Sequence, residues 1–317
     1  MVIHAYRESK LIRDTLNSVP ELIDRVYVVD DASPDRQNDT ILELAAGDPR
    51  IHLLRHTVNQ GPGAAIVTGY LQSSRDKYDI CVVVGGDNQM LLSEVTSFLD
   101  PIIDGKAEYT KGNRFLLSRV EDTIEKMPRI RFWGNWLITA LTKIASGYYK
   151  TMDVVDGYTA ISKTAIDRVD WGRAWKQYGY PMDFLIRLNA YGFRVCDVPR
   201  TAIYLPGERQ SQIKGLSYAL KVSPMLLRNF FWRLKFKYLY IDFHPLVFFY
   251  FLAFLLLPLG GLMGLWLVAD KIITGGENIT ASRAVFDALI LVSGLQCLLF
   301  AMLFDMEEGR SPRAPIS

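Results

Sequence analysis

An aspartate stands behind two glycines at the end of an apolar run in residues 82–90, VVVGGDNQM. The glycine backbone at Gly85 and Gly86 would let a ligand come close to Asp87, and Gln89 offers a second oxygen. Hard oxygen ligands that share a cation with phosphate groups are typical of Mg²⁺ and Mn²⁺ sites. A strand-end aspartate can also simply cap a helix. The segment predicts a divalent-cation site with Asp87 and Gln89 as metal ligands.

Two more acids, Asp30 and Asp31, follow another apolar run in residues 24–33, DRVYVVDDAS. Over residues 1–85, apolar runs alternate with segments of helical periodicity, and the runs themselves contain no alternating polar residues. This pattern predicts an α/β fold for residues 1–210, with helices on both faces of a mostly parallel sheet. Ligands bind such sheets at the carboxyl ends of the strands, where Asp30, Asp31 and Asp87 would lie.

The C-terminal third of the chain is far more apolar than the rest. Residues 246–269 carry no charged side chain, and at 1.5 Å per residue they are long enough to cross a hydrocarbon core of roughly 30 Å. Residues 285–304 contain a second, shorter apolar run that includes Gln296. We expect two transmembrane helices within residues 244–305, joined as a hairpin. Buried core helices, or an interfacial helix for the second run, are the alternatives.

Residues 211–243 mix aromatic and basic side chains at helical spacing. This pattern predicts amphipathic juxtamembrane helices in the interface of the bilayer, although an ordinary surface helix would also fit. Lys and Arg are frequent before the first span and after the second, and scarce between the two spans. The catalytic domain and the tail at residues 306–317 are therefore expected on the cytoplasmic side, which agrees with a chain that opens on a strand instead of a signal peptide.

Other features of the sequence limit the classes of site. The three cysteines have neither disulfide nor zinc spacing. His52 and His56 lack the spacing of a metal site and are interpreted as surface residues. A formal net charge of +2 gives no indication of nucleic-acid binding. The oligomeric state stays open, and a homo-oligomer is compatible with the sequence.

Seven segments together resemble family 2 glycosyltransferases of the GT-A (Rossmann-like) fold. They occur in the order VIHAYRES, VVDDASPD, NQGPGAAI, GGDNQM, GNRF, DGYTAIS and YPMDFLIRL. The resemblance covers residues 1 to about 215 and is strongest to polyprenyl-phosphate sugar transferases, such as dolichyl-phosphate mannose synthases and their bacterial glucosyl relatives. The basic helices and the hairpin that follow match the same subgroup.

The resemblance implies a role for each matching position. The nucleotide of a sugar donor would contact Tyr6, Glu8, Asp30, Asp31, Asn59, Gly61, Gly86 and Asp87. The metal would lie on Asp87 and Gln89, and the phosphate of the acceptor lipid on Arg129 and Arg131. The catalytic group would consist of Asp87, Arg114, Arg131, Asp156 and Asp183.

Alternatives stay open for several of these positions. Asp156 could only shape a turn with Gly157, and Asp183 could pair with Arg187 one helical turn away. Arg129 and Arg131 could face solvent or anionic lipid instead of a bound phosphate.

Three positions depart from the family pattern. Gly85 replaces the first acid of the D-x-D motif, His4 replaces the usual proline and Arg7 the usual asparagine. Asp87, Gln89 and two diphosphate oxygens could still hold a metal ion, with water completing its coordination.

The implied reaction is the inverting transfer of one sugar from a UDP- or GDP-linked donor to polyprenyl or dolichyl phosphate. A lipid phosphate is anionic at neutral pH, so it would need cations to position it more than a general base. A processive polysaccharide synthase is a weaker alternative, because the chain lacks a Q-x-x-R-W motif and further spans. A catalytically weak membrane scaffold that binds nucleotide sugars is a third, with Gly85 as its support.

Overall fold

The structure is a computed structural model that describes residues 1–116, 129–201, 203, 215–275 and 279–309. In its helices, the side chains of residues 129–133, 135, 215–217 and 219 lie outside the description. The chain divides into two compact units, Met1–Arg233 and Leu234–Pro312. The domain boundaries expected at residues 210 and 243 stay predictions.

The first unit contains a seven-stranded sheet in the order β3-β2-β1-β4-β6-β5-β7. Only β6 runs antiparallel to its neighbours, β4 and β5, and the other pairs are parallel. The predicted mostly parallel sheet is confirmed. The strands are β1 (Val2–Ala5), β2 (Val26–Asp30), β3 (Ile51–Arg55), β4 (Ile80–Gly85), β5 (Tyr109–Asn113), β6 (Thr159–Ser162) and β7 (Val195–Pro199).

Helices cover both faces of this sheet, which explains why the central strands are apolar without alternation. The helices of the described chain are α1 (Ile12–Asn17), α2 (Gln37–Gly47), α3 (Pro62–Arg75), α4 (Val95–Ile103), α5 (Arg129–Ser146), α6 (Lys163–Arg168), α7 (Tyr180–Ala190), α8 (Gly215–Lys235), α9 (Leu246–Ile273) and α10 (Ala281–Glu308). Short 3₁₀ turns lie at Leu92–Glu94 and Trp171–Arg173, and a π-helical turn lies at Phe236–Ile241.

One face of the sheet packs against α1, α2 and α4. Ile3 of β1 and Val84 of β4 lie in the same buried cluster as Ile41 and Phe98, which come from α2 and α4. The ring of Phe98 stacks on that of Tyr158, with 3.9 Å between the centroids. This cluster fixes the strands whose carboxyl ends carry the predicted site.

The opposite face of the sheet is covered by α3 and α7. Helix α3 approaches β1 so closely that a Cβ atom on Gly69 would lie 2.4 Å from a methyl carbon of Val2. Every residue of α7 is buried. The edge-to-face rings of Tyr70, Trp171 and Phe184 fill the space between the helices. This layer carries Asp183, the last of the predicted catalytic acids.

The second unit is built on the antiparallel pair α9 and α10. Both helices are long and apolar enough to cross a membrane, by length and composition. Each has 28 residues, or about 42 Å, and contains one of the predicted spans. A Cβ atom on Gly260 would meet Leu291 at 2.8 Å, and one on Gly294 would meet Leu257 at 3.0 Å. Small residues thus let the two backbones approach, as is common between helices in membranes.

The stacked rings of Phe98 and Tyr158 predict that removal of the Phe98 ring strongly destabilises the first unit. We expect Phe98→Ala to lower the free energy of unfolding of the first unit by about 3–5 kcal/mol, because a buried ring is removed from a packed cluster. The exposed Leu42→Ala on α2 is the control, with an expected change within about 0.5 kcal/mol. Thermal unfolding followed by circular dichroism measures both, and equal shifts for the two variants would contradict the packing described here.

Candidate active site

The loops that follow β1, β2 and β4 meet at one edge of the sheet. The backbone N–H of Asp31 donates to the carbonyl of Ala5 at 3.1 Å, and that of Gly86 donates to the carbonyl of His4 at 3.1 Å. Parallel neighbours end on the same side, so the three loops carry their polar side chains to one place. The structure therefore brings together the predicted donor-side residues around Tyr6, Asp31 and Asp87.

Asp30 is buried, and both of its carboxylate oxygens accept hydrogen bonds from the protein. Oδ1 accepts from the side chain of Gln37 at 2.6 Å and from the backbone of Ser33 at 3.0 Å, and Oδ2 accepts from Asn38 at 2.8 Å. The amide oxygen of Gln37 accepts in turn from the backbone of Glu8 at 3.0 Å. Asp30 thus shapes the loops after β1 and β2. Its contact with a nucleotide base stays a prediction.

Asp31 holds the turn in front of α3. Its oxygens accept from the backbone N–H groups of Gly61 and Gln60 at 2.7 and 2.8 Å, and from Nδ1 of His56 at 2.7 Å. Gly61 has a φ angle of +96°, and a Cβ atom there would lie 2.5 Å from the carbonyl oxygen of Lys176. Only glycine fits this close approach without strain. Two residues that were separately predicted to contact the nucleotide, Asp31 and Gly61, are therefore in direct contact with each other.

Two neighbours of this turn differ from one another in exposure. The side chain of His56 is only 8% exposed and lies between Asp31 and the hydroxyl of Thr68, so its interpretation as a surface residue was wrong. The sequence pattern could not indicate this contact, because His56 pairs with an acid that is 25 residues away in the chain. Asn59, predicted to flank the nucleotide, is exposed.

Asp87 is half-exposed, whereas Asp30, Asp31, Asp153, Asp156 and Asp183 are buried. Its Oδ1 accepts from the backbone N–H of Gln89 at 3.3 Å, and within the described residues Oδ2 accepts no hydrogen bond. A Cβ atom on Gly85 would lie 2.9 Å from Oδ1. A carboxylate at position 85 would therefore clash with the carboxylate of Asp87 in its present position. Asp87 can lie where it does because position 85 is glycine and not the first acid of the D-x-D motif.

The donor atoms around Asp87 suit a magnesium-like ion. The residues that the structure describes contain no cluster of three or more His, Cys, Asp or Glu side chains that could hold a metal by themselves. Mg²⁺ is commonly held by one or two carboxylates together with substrate phosphates. The available carboxylate oxygen of Asp87 and the half-exposed amide of Gln89 fit that pattern.

His4, on β1, lies close enough to Asp31 and Asp87 for the charges of both carboxylates to affect its pKa. Burial lowers the pKa of His4, and the two carboxylates oppose that shift without cancelling it. The imidazole is therefore neutral at pH 7. Its ring lies edge-on to that of Tyr180, with 6.4 Å between the centroids. The aromatic ring of Tyr6 is half-exposed, with the guanidinium of Arg7 above it at 5.3 Å.

A cluster of two arginines and two aspartates forms the other half of the site. Arg114 donates from Nε and Nη2 to the two oxygens of Asp153 at 2.7 and 2.6 Å. Arg200 donates from Nε to Asp156 at 2.7 Å, and Nε of Arg114 lies 3.4 Å from the same carboxylate. Burial by itself would raise the pKa of Asp153, but the hydrogen bonds and charge of Arg114 outweigh it, so the pKa is lowered. The carboxylate of Asp153 is therefore charged at pH 7.

A fully buried lysine fixes the loop that carries these aspartates. The ammonium of Lys111 donates to the backbone carbonyls of Met152 and Asp153 at 2.5 and 2.9 Å, and lies 3.7 Å from a carboxylate oxygen of Asp197. The other oxygen of Asp197 accepts from the backbone of Met152 at 2.7 Å and from Asn113 at 2.8 Å. Residues 152–156 are thus anchored to the ends of β5 and β7.

Arg200 joins the two halves of the site. Besides its pair with Asp156, it donates from Nη1 to the backbone carbonyl of Gln89 at 3.3 Å. The sequence analysis did not single out Arg200 or Lys111. No local pattern marks these residues, because they meet only when β5 pairs with β7.

Asp183 lies at a buried position with both oxygens occupied. Oδ2 accepts from Nε of Arg187 at 2.9 Å and from the backbone of Trp175 at 2.7 Å, and Oδ1 accepts from the side chain of Asn229. The pair with Arg187, left open as an alternative above, is present. A catalytic role for Asp183 stays a prediction.

The predicted acceptor residues Arg129 and Arg131 belong to the first turn of α5. Their side chains lie outside the described residues, so their binding of a phosphate also stays a prediction.

The profile of the family described as "Glycosyl transferase family 2" matches residues 1–170, more than half of the chain. The family match and the mostly parallel sheet define a glycosyltransferase with a GT-A-like fold, and the chain belongs to glycosyl transferase family 2. The family predicted from the seven segments is confirmed.

Several proteins that are similar to this chain are named as glycosyltransferases. The chain is 26% identical over 217 residues to a UDP-N-acetylglucosamine–dolichyl-phosphate N-acetylglucosaminyltransferase of Methanococcus voltae, covering 64% of this chain and 85% of that protein. It is 28% identical over 211 residues to a polyprenol monophosphomannose synthase of Mycolicibacterium smegmatis, covering 63% and 76%. A solved mannosyltransferase from Pyrobaculum calidifontis, in complex with GDP-Man and Mn²⁺, has 14% identity and a TM-score of 0.43, with coverages of 98% and 87%.

Because Lys111 anchors the loop at residues 152–156, its replacement should lower the stability of the first unit. We expect Lys111→Met to destabilise the first unit by about 3–5 kcal/mol, because it leaves buried acceptors without their cation. The control is Lys106→Met, which removes an exposed lysine paired with Asp104 and should change stability by about 1 kcal/mol or less. Thermal unfolding compares the two variants. Similar shifts in both would show that the buried ammonium does not anchor the loop.

Proposed function

We propose that this glycosyltransferase moves a single sugar from a UDP- or GDP-linked donor to polyprenyl or dolichyl phosphate, with inversion at the anomeric carbon. The observation that carries the proposal is the contact of Arg200 with both Asp156 and Gln89, because it joins the loop of Asp87 and Gln89 to the aspartate loop at residues 152–156 within one site. The names of the relatives support the acceptor class, since they include dolichyl-phosphate, polyprenol and undecaprenyl-phosphate sugar transferases.

The donor-side residues would stabilise the negative charge that develops on the leaving nucleotide diphosphate. Asp87 and Gln89 would hold Mg²⁺ or Mn²⁺, which supplies positive charge to the departing diphosphate when bound. The guanidinium of Arg200, 3.3 Å from the carbonyl of Gln89, adds a fixed positive charge at the same loop. Such preorganised charge is often the largest contribution of an enzyme to its rate.

The acceptor side would present a phosphate that is already anionic. A direct attack by this oxygen on the anomeric carbon inverts its configuration, and the carbon becomes oxocarbenium-like as the donor bond breaks. Cations are then more useful than a general base, and Arg129 and Arg131 are the proposed contacts. Asp156 and Asp183 each hold an arginine, so their proposed role is to position neighbouring groups.

A membrane location fits the acceptor. Helices α9 and α10 would form a transmembrane hairpin, since both are long and apolar enough to span. The basic and aromatic helix α8 and the turn that follows it would lie in the interface of the bilayer. The catalytic unit and both termini would be cytoplasmic, as the distribution of Lys and Arg indicates.

A donor screen tests the function directly. Membranes that contain the protein are incubated with labelled UDP- and GDP-sugars and extracted polyprenyl phosphate, and label is measured in the organic phase. We expect a labelled lipid with at least one donor, and no label in membranes without the protein. Labelled polymer would favour a processive synthase, and nucleotide binding without any product would favour a scaffold; either outcome would overturn the proposal.

The proposed metal ligands predict a metal-dependent nucleotide affinity. The protein should bind its nucleotide more tightly with Mg²⁺ or Mn²⁺ than with a chelator, and Asp87→Asn should abolish this difference because it removes the anionic ligand. Asp79→Asn, at the exposed opposite end of β4, should respond to metal as the unchanged protein does. Titration calorimetry measures each affinity. Unchanged binding of the native chain in chelator would refute a metal at this loop.

If the lipid phosphate attacks the anomeric carbon directly, variants of the proposed cation and of the acids should lose kcat/KM to different degrees. We expect Arg131→Gln to lower kcat/KM for the lipid phosphate by about 10²–10³-fold, because a group that stabilises charge is lost. Asp156→Asn and Asp183→Asn should cost less in variants that circular dichroism shows to be folded. Arg168→Gln, an exposed arginine of α6, is the control and should leave kcat/KM unchanged. A larger loss from either acid than from Arg131 would contradict the scheme.

A further inference from the structure

Two of the departures from the family pattern are direct neighbours in the sheet. His4 stands in place of the usual proline, and Gly85 stands in place of the first acid of the D-x-D motif. In the parallel pairing of β1 with β4, His4 is the partner of Gly85. Paired residues of neighbouring parallel strands direct their side chains to the same face of the sheet. The imidazole of His4 therefore leaves the sheet on the face to which an acid at position 85 would point, and its edge-on contact with Tyr180 of α7 agrees with this.

The carboxylate of Asp87 lies over the same face. Its Oδ1 is 2.9 Å from the position that a Cβ atom on Gly85 would occupy. Neighbouring strands are about 4.8 Å apart, so the side chain of His4 begins about one strand spacing from that position. The backbone N–H of Gly86 donates to the carbonyl of His4 at 3.1 Å, which holds the start of the Asp87 loop against the end of β1. The sheet thus holds the imidazole and the carboxylate beside each other.

Both groups have bonding capacity that the described protein does not use. Within the described residues, neither ring nitrogen of His4 has a hydrogen-bond partner, and Oδ2 of Asp87 accepts no hydrogen bond. His56 differs from His4, because its two nitrogens contact Asp31 and Thr68. A neutral imidazole keeps a lone pair on one nitrogen. A carboxylate oxygen and an imidazole nitrogen that lie side by side, with no protein donor between them, are complementary to a cation.

We propose that His4 is a further protein ligand of the metal ion at Asp87 and Gln89, and that its nitrogen replaces the missing first acid of the D-x-D motif. The inference rests on the metal site in the proposed function and names the class of ion. Mg²⁺ prefers oxygen ligands, whereas imidazole nitrogen is a common ligand of transition-metal ions. A site with an imidazole should therefore prefer a transition-metal ion such as Mn²⁺ to Mg²⁺.

The exchange of an acid for an imidazole also changes the charge of the site. Two carboxylates would neutralise a divalent ion, whereas one carboxylate and a neutral nitrogen leave it a net positive charge. That charge would be available to the diphosphate of the donor, where negative charge develops as the sugar leaves. The combination of Gly85 with His4 therefore preserves a metal site and makes it more electropositive.

The test detects a metal-bound nitrogen by electron spin-echo envelope modulation of Mn²⁺ on the full chain. The protein is produced with ¹⁵N-labelled histidine, and Mn²⁺ is added with UDP in one sample and with GDP in another. Since the chain has four histidines, variants must assign the signal. His4→Phe keeps a ring beside Tyr180 and removes both nitrogens, and His4→Gln replaces it if the phenylalanine variant does not fold. His52→Phe, at an exposed position of β3, is the matched control.

We expect coupling to a directly bound ¹⁵N in the native chain and in His52→Phe, with ³¹P coupling from the diphosphate in the same samples. The ¹⁵N coupling should be absent in His4→Phe, and also in Asp87→Asn because the same ion needs that carboxylate. A native chain that shows no ¹⁵N coupling with either nucleotide would overturn the proposal. Phosphorus coupling alone would indicate that His4 hydrogen-bonds to the diphosphate or only packs. Nitrogen coupling that survives in His4→Phe or Asp87→Asn would place the ion elsewhere and would equally overturn it.

Titration calorimetry measures the expected preference for Mn²⁺. His4→Phe should weaken Mn²⁺ binding about tenfold or more, since even residues that only hydrogen-bond to a metal ligand typically contribute about 10–100-fold to affinity. Its binding of Mg²⁺ should fall less, and His52→Phe should change neither affinity. Equal losses for the two ions would contradict a nitrogen ligand.

Neither measurement requires turnover, so the outcomes separate this inference from the proposed function. A chain that forms labelled lipid without ¹⁵N coupling would refute only the role of His4. A chain that shows the coupling but forms no labelled lipid would refute only the proposed function.

Discussion

A chain of alternating charges, most of them buried, holds the arginine–aspartate half of the candidate active site. Its members, in order, are Asp197, Lys111, Asp153, Arg114, Asp156 and Arg200. A buried charge without a partner costs several kcal/mol, so each group confines its neighbour to a narrow range of positions. The last cation also contacts the carbonyl of Gln89, and the loop that carries Asp87 is thereby tied to the same chain. The geometry of both halves of the candidate site therefore depends on this one set of ion pairs and hydrogen bonds.

Among the aspartates predicted for the site, Asp87 differs from Asp30, Asp31 and Asp183 in having a carboxylate oxygen that is available to a ligand. Asp30, Asp31 and Asp183 have both oxygens bonded to protein donors, and they shape loops or position an arginine. Asp87 keeps Oδ2 without a hydrogen bond in the part of the chain that is described, and it is half-exposed. Ligand chemistry at this edge is therefore concentrated on Asp87. The glycine at position 85 leaves the room in which its carboxylate lies.

The proposed acceptor gives a common reason for features that are far apart in the chain. A phosphate on a polyprenyl chain stays at the membrane surface, so an enzyme that uses it must bring cations to that surface. The apolar helices α9 and α10 would anchor the enzyme there, and the bases Arg129, Arg131, Lys143 and Lys150 would add positive charge to the catalytic unit. Neither feature is needed by a transferase with a soluble acceptor.

The sequence alone determined the features that depend on local patterns. Unalternated apolar runs indicated a mostly parallel sheet, long apolar runs indicated α9 and α10, and seven segments indicated the family. The tertiary structure decided the pairings between distant residues. His56 meets Asp31, Lys111 meets the loop at Asp153, and Arg200 meets Asp156 and Gln89 only because particular strands become neighbours. Burial and hydrogen-bond satisfaction are properties of these neighbours, so no residue type or spacing within one segment could reveal which aspartate remains available for a ligand.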